Sequence, residues 1–313
     1  MLTIQFSPLE NLQFTSTVDA NEVIDLWVKR DDLIHPIVSG NKWRKLKYSI
    51  AKAQQNKNET ILTFGGALSN HLVATAAACK EVGLKSIGFV RGEELNENAN
   101  PTLQKCAELC MELHFISREE YNLKSEKFYT DELHVDHPNV YIVPEGGANY
   151  YGIIGCSEII GELPDDVSDI FVSAGTGTTA AGLLMGSRSH QTIHIVSALK
   201  GEWMEEEVKK LLMYSLFDEE AVDELLQRAH FIYDAHCGGY AKTSPELIAS
   251  IQSIYEQTGV KLDPVYTGKS MLWLQKNWKQ CSPTGKLVFL HTGGVQGAQY
   301  MQEKLAVNLY PES

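Results

Sequence analysis

The chain has 313 residues, of which 43% are hydrophobic and 21% charged, with a formal net charge of −13. This is the make-up of a globular protein of one large or two smaller domains, and the acidic balance argues against nonspecific binding to nucleic acid or anionic membranes. No apolar run reaches membrane-spanning length, and the opening "MLTIQFSPLENLQF" lacks the basic and apolar blocks of a secretion signal. The cysteines (Cys79, Cys106, Cys110, Cys156, Cys237, Cys281) form neither a C-x-x-C pair nor a zinc-ligand pattern, so reduced thiols in a cytoplasmic protein without a metal site are expected.

In chain order, the first informative stretch is "VKRDDLIHPIVSGNKWRKLKY" (28–48), in which Lys42 follows Ser39-Gly40-Asn41 and opens a helical run. A lysine in such a stretch is ordinarily a solvated surface charge. It becomes a nucleophile when desolvated or set beside other cations, which Arg44 and Lys45 could supply. Strand patterns follow at 60–66, 86–92, 113–117 and 140–147, and again at 169–175, 192–199 and 286–294. Most are continuous apolar runs separated by helical patterns, which predicts an α/β protein with parallel sheets covered on both faces. Glycine turns at Gly65-Gly66, Gly146-Gly147, Gly175 to Gly177 and Gly293-Gly294 fall at the carboxyl ends of these strands, where open α/β folds collect ligands.

Four of the turns carry chemistry. In "GGALSNHLVATAAA" (65–78), Ser69 is placed as an N-cap, Asn70 starts the helix, and the unpaired N–H groups there make an anion site. In "SAGTGTTAAG" (173–182), Gly175 and Gly177 permit close backbone approach while Thr176, Thr178 and Thr179 offer hydroxyls at a helix start, which suits a phosphate. The same stretch matches G-x-G-x-x-A, but the next strand ends "VSALK" without an acid for a ribose, and no G-K-[ST] follows. The acidic segment 201–227 reads as packed helix with a solvated glutamate face and no catalytic role. Tyr266 in "LDPVYTGKS" and Thr292 in "LHTGG" occupy the remaining polar turns.

Taken together and in this order, these motifs resemble the pyridoxal-phosphate enzymes of the tryptophan synthase β-like fold (fold type II). The likeness is greatest to the branch containing 1-aminocyclopropane-1-carboxylate deaminase and D-cysteine desulfhydrase, and it runs from about Val28 to Gly294. The resemblance implies two open, twisted, mostly parallel sheets flanked by helices. It also implies a large cofactor-binding domain from 1–47 and 158–313, a small domain from 48–157 closing over the site, and a homodimer. It makes Lys42 the lysine that carries pyridoxal 5'-phosphate, sets Ser69 beside the substrate and Asn70 on the cofactor's phenolic oxygen, and assigns the phosphate to Gly175, Thr176, Gly177, Thr178 and Thr179. Tyr240 in "GGYAK" and Tyr266 become active-site tyrosines, with the hydroxyls of Thr267 and Thr292 toward the pyridine nitrogen.

Two departures stand out: Leu68 replaces the family's usual glutamine, and Thr267 replaces the glutamate of the deaminases. The second favours β-elimination over cyclopropane opening, because a carboxylate near the ring nitrogen would make a stronger electron sink than a hydroxyl. The expected activity is therefore a lyase acting on a small amino acid, with D-cysteine yielding pyruvate, ammonia and sulfide. The alternatives are the cyclopropane deaminase, another small amino-acid lyase or racemase, and a non-catalytic cofactor- or nucleotide-binding protein.

Overall fold

Ten strands, most of them apolar and β-branched runs, form among the described residues, 4–19, 21–281 and 283–311 of this computed structural model. They are β1 (Leu9–Thr15), β2 (Val23–Lys29), β3 (Thr60–Gly66), β4 (Lys85–Arg91), β5 (Met111–Ile116), β6 (Val140–Val143), β7 (Val167–Ala174), β8 (Thr192–Ser197), β9 (Ala229–Ile232) and β10 (Lys286–Leu290). One sheet, ordered β5-β4-β3-β6, is parallel throughout. The other, ordered β1-β2-β10-β7-β8-β9, is parallel except for the β1–β2 pair. The chain leaves the six-stranded sheet after β2, builds the four-stranded one, and returns at β7. The α/β architecture with two open, mostly parallel sheets is thus the one the sequence predicts.

Every residue of β7 is buried, as a central parallel strand with helices on both faces requires. Three strands escape the apolar-run criterion. β2, "VIDLWVK", alternates buried and exposed residues through its first half, β1 lies at the sheet edge beside it, and β9 is four residues long. The runs predicted at 140–147 and 286–294 stop at Val143 and Leu290. Beyond them the chain turns through Gly146 (φ +66°) and Gly293 (φ +79°), a backbone conformation that glycine adopts without steric cost.

Three helices define the site: Asn41–Gln55, reached from β2 through a loop, and Asn70–Val82 and Thr178–Gly186, which begin just past the ends of β3 and β7. The alanine-rich face of Asn70–Val82 is buried, with Ala74, Ala77 and Ala78 packed in one cluster with Leu46, Ile50 and Ala53 of helix Asn41–Gln55. Short side chains let the two backbones approach, which explains so bland a helix behind so polar a turn. On its other side, helix Asn41–Gln55 abuts helix Tyr150–Gly161, where a Cβ on Gly155 would lie 1.8 Å from Arg44 O. The acidic segment forms helices Met204–Leu216 and Glu219–Leu226, and Met204, Val208 and Leu211 of the first back the turn at Gly177. Among the described residues all six cysteines are free and no helix is long and apolar enough to cross a membrane.

Candidate active site

Lys42 is the second residue of its helix, and the turn before it is fixed by a close approach. Gly40, at φ +64°, packs so tightly on the Thr292 carbonyl that a Cβ there would lie 2.0 Å from its oxygen, and Asn41 N donates to that oxygen at 3.2 Å. The lysine helix is thereby docked on the "LHTGG" turn. Asn41 makes a second link. Its Nδ2 donates to Thr179 Oγ1 at 3.0 Å, while its Oδ1 accepts from Lys42 Nζ at 2.7 Å. Lysine, glycine–threonine loop and Thr292 turn therefore meet in one place.

The helix is anchored by a buried charge network. Arg44 donates to Asp31 Oδ1 at 2.9 Å and Glu162 Oε2 at 2.8 Å; Lys29 reaches the same Glu162 oxygen at 2.8 Å, and Ser7 donates to Asp31 Oδ1 at 2.7 Å. Arg44 is thus neutralised and turned away from Lys42. Lys45 is not: its side chain is buried on the cavity wall, and no described residue gives it an ion pair or hydrogen bond. Burial pulls Lys45 below the ordinary lysine range. Burial first, then the charge of Lys45, brings Lys42 down to about 7, so that much of it is free base at neutral pH.

The opposite wall comes from the end of β3. Ser69 is the N-cap residue of helix Asn70–Val82, yet its side chain makes no capping bond and its hydroxyl is left for a ligand. Gly65 makes room for it, since a Cβ there would lie 2.8 Å from Ser69 Oγ. Asn70 sits against Gly294, where a Cβ would approach its Nδ2 to 3.3 Å. His71 is buried beside the two lysines. Thr63 Oγ1 donates to the Val143 carbonyl at 2.7 Å, so at 2.9 Å it accepts from His71 Nε2–H. That fixes the tautomer and leaves Nδ1 a buried acceptor without a donor. Burial, Lys42 and Lys45 together hold His71 well below its usual range, so it is neutral.

Lys42, Ser69, Asn70, Gly175, Thr176, Gly177, Thr179, Tyr240, Tyr266 and Thr292 all line one cavity of about 730 Å³. Thr178 and Thr267 do not. Thr178 is buried behind the loop, its hydroxyl 3.0 Å from that of Thr176. Thr267 is fully buried, donates to Asp263 Oδ2 at 2.6 Å and accepts from Asp263 N at 2.8 Å. The same carboxylate takes the N–H groups of Val265, Tyr266 and Thr267 at 2.8–2.9 Å, which fixes the turn bearing Tyr266. Tyr240, 45% exposed, and Tyr266 meet edge to face, ring centres 6.4 Å apart, and desolvation of their hydroxyls raises both phenols above their usual range, so they stay protonated. Asn41, His71 and Asp263 are site residues that the sequence reading did not single out. Asp263 was legible only as the acid opening "DPVYTGK".

A family model for pyridoxal-phosphate dependent enzymes matches residues 2–293, and the chain belongs to that family, whose cofactor is pyridoxal 5'-phosphate. It is 31% identical over 90% of its length, and 75% of the other chain, to the mitochondrial bifunctional D-cysteine desulfhydrase/1-aminocyclopropane-1-carboxylate deaminase of Arabidopsis thaliana. It is 29% identical to the D-cysteine desulfhydrase of Serratia proteamaculans, covering 92% of this chain and 91% of that one. The crystal structure of an ACC deaminase homologue superimposes with a TM-score of 0.78 at 27% identity, over 98% of this chain and 95% of the other. The chain is accordingly a pyridoxal-phosphate-dependent lyase.

The cavity fits the cofactor on its own chemistry. A phosphate dianion needs N–H donors and a cation. The wall supplies Gly175 to Gly177 at a helix start, the Thr176 and Thr179 hydroxyls, and the unpaired Lys45. An aldehyde needs an amine in its free-base form, which Lys42 provides.

Proposed function

We propose that the chain eliminates a thiolate from D-cysteine, giving pyruvate, ammonia and sulfide. The observation that carries the choice is at position 267: a threonine sits there behind the cavity wall, its hydroxyl held by Asp263, so this position brings no carboxylate to the cavity. Opening a cyclopropane amino acid, whose Cα bears no hydrogen, asks for stronger electron withdrawal than elimination does. When bound, pyridoxal 5'-phosphate supplies the electron sink that makes the Cα proton removable. Lys42 and the Gly175–Thr179 loop hold that group, with Asn70 and Thr292 beside it. The substrate carboxylate rests on the free hydroxyl and N–H groups of the turn at Ser69.

Lys42 Nζ, poised near neutrality, takes the Cα proton; the Cα–H and Cβ–S bonds break, the Cα–H pair becomes the Cα=Cβ double bond, and the sulfur leaves with the electron pair of its bond. Tyr240 and Tyr266, kept protonated by desolvation, orient the substrate and can give the thiolate a proton. The released 2-aminoacrylate takes up water and yields pyruvate and ammonia. In this reading residues 48–157 act as a small domain closing over a large one from 1–47 and 158–313, in a homodimer.

The test is kcat/KM for D-cysteine, L-cysteine, D-serine and 1-aminocyclopropane-1-carboxylate on one cofactor-loaded preparation, followed as keto acid and sulfide release. The reading expects D-cysteine to lead. A higher value for the cyclopropane amino acid, or yellow protein that turns over none of the four, overturns it.

A further inference from the structure

The segment that carries Tyr240 into the cavity is an unusual piece of backbone. Cys237, Gly238, Gly239 and Ala241 all have positive φ, at 50°, 93°, 127° and 52°. Two of the four are not glycine, and a Cβ is rarely tolerated in this region unless the surroundings enforce it. Local bonds close the turn: Gly238 N donates to His236 Nδ1 at 2.9 Å and Gly239 N to His236 O at 3.0 Å. These bonds lie within the turn itself and do not tie it to the body of the protein.

The tie comes from helix Thr267–Cys281. Lys269, third residue of that helix and only 1% exposed, points its ammonium at the turn and donates to His236 O and Gly239 O, both at 2.8 Å. One turn further along, Trp273 Nε1 donates to Asp234 Oδ1 at 2.7 Å, holding the incoming strand end. Lys269 also lies three residues beyond Tyr266, so a single helix start fixes both phenols of the cavity wall. A buried ammonium bound to two neutral carbonyls is an expensive way to fill space, and a methionine would pack as well.

We propose that Lys269 is a positioning residue for Tyr240: by clamping the His236 and Gly239 carbonyls it holds the strained turn in the one conformation that presents the phenol to the cavity. It never touches substrate or cofactor and acts only through Tyr240. Without the clamp the turn relaxes toward negative φ and the phenol swings out of register with Tyr266. The consequence for turnover rests on the catalytic reading above, whereas the consequence for the turn does not.

The test compares Lys269→Met, Lys269→Arg, Tyr240→Phe and the Lys269→Met/Tyr240→Phe double variant of the cofactor-loaded protein by two readouts. Amide hydrogen exchange of the peptide spanning 236–242 should speed up in Lys269→Met while β7 and β8 stay as protected as in the parent. With D-cysteine, Lys269→Met should lower kcat/KM about tenfold or more, as expected of a phenol displaced by about 1 Å. In the Tyr240→Phe background the same change should cost less than about twofold, because both substitutions remove one interaction. Lys269→Arg, which keeps the donors, should recover part of the loss. Unchanged exchange at 236–242, or equal losses in both backgrounds, overturns the proposal. Should Lys269→Met expose β7 and β8 as well, Lys269→Gln, which keeps a donor for one carbonyl, is read by the same criteria. If the parent turns over no amino acid, the exchange result alone decides.

Discussion

Asn41 Nδ2 donates to Thr179 Oγ1 across 3.0 Å, joining the helix that carries Lys42 to the glycine–threonine loop proposed to hold a phosphate. Its other amide atom accepts from Lys42 Nζ at 2.7 Å, so one small side chain sets the distance between the two points proposed to hold the cofactor. Asn41→Ala leaves Thr179 without its partner and Lys42 free to turn. We expect the affinity for pyridoxal phosphate to fall about 10- to 100-fold, measured by titrating the unloaded protein at the cofactor's absorption band. Unchanged affinity would show that the link is incidental.

Lys42 supplies a pH prediction. Its value near 7 in the folded chain, against an ordinary 10.5, comes first from burial and then from Lys45. Between these two values the unfolded chain holds the extra proton, so the unloaded protein gains stability from this group as pH rises through that window and loses it as pH falls. The same shift should make the rate of cofactor uptake rise through a midpoint near 7 and level off. Lys45→Met removes one of the lowering influences, so the midpoint should move up while phosphate affinity drops. A rate that keeps climbing to pH 10 in the parent would contradict the assignment.

The network under the lysine helix makes a stability prediction. Asp31 is fully buried and Arg44 nearly so. Asp31→Asn should destabilise by about 3 kcal/mol, because it strands part of a buried guanidinium charge. Glu162→Gln should cost less, since its side chain is 29% exposed and water can compensate. Urea unfolding of the two variants gives the comparison, and an Asp31→Asn protein as stable as the parent would show the network to be dispensable.

Thr267 separates a structural from a chemical role. Thr267→Val keeps the shape but removes both hydroxyl bonds to Asp263, which should cost about 1–3 kcal/mol of stability and loosen the turn of Tyr266, lowering kcat. A cofactor spectrum that shifts with stability unchanged would place the hydroxyl on the ring instead.

Much of the site was readable because it is made of turns, and turns are written in local residue types. Lys42, Ser69, Asn70, the Gly175–Thr179 loop and Thr292 stand at strand ends or helix starts that glycine and hydroxyl residues mark in the sequence. What was hidden depends on tertiary burial. Lys29, Arg44 and Lys45 look like a solvated basic stretch, yet the fold buries all three. Arg44 finds carboxylates separated from it in sequence, Asp31 and Glu162, while Lys45 finds none, and only tertiary packing decides which. The family resemblance sets the Thr267 hydroxyl toward the ring, whereas in the fold it bonds the carboxylate of Asp263 behind the wall. β1 and β2 were hidden for a different reason: in the edge strand β1 and its neighbour β2, an alternating, partly charged sequence satisfies the fold without an apolar run.

Every role proposed for the site depends on Lys42 as the residue that holds the cofactor. The most direct measurement is borohydride reduction of the loaded, yellow protein followed by tryptic peptide mapping. Modification of Lys42 blocks cleavage after it, so the label is expected on a single peptide running from Asp31 to Arg44. Label on Lys45, Lys47 or Lys269, with Lys42 unmodified, would contradict it.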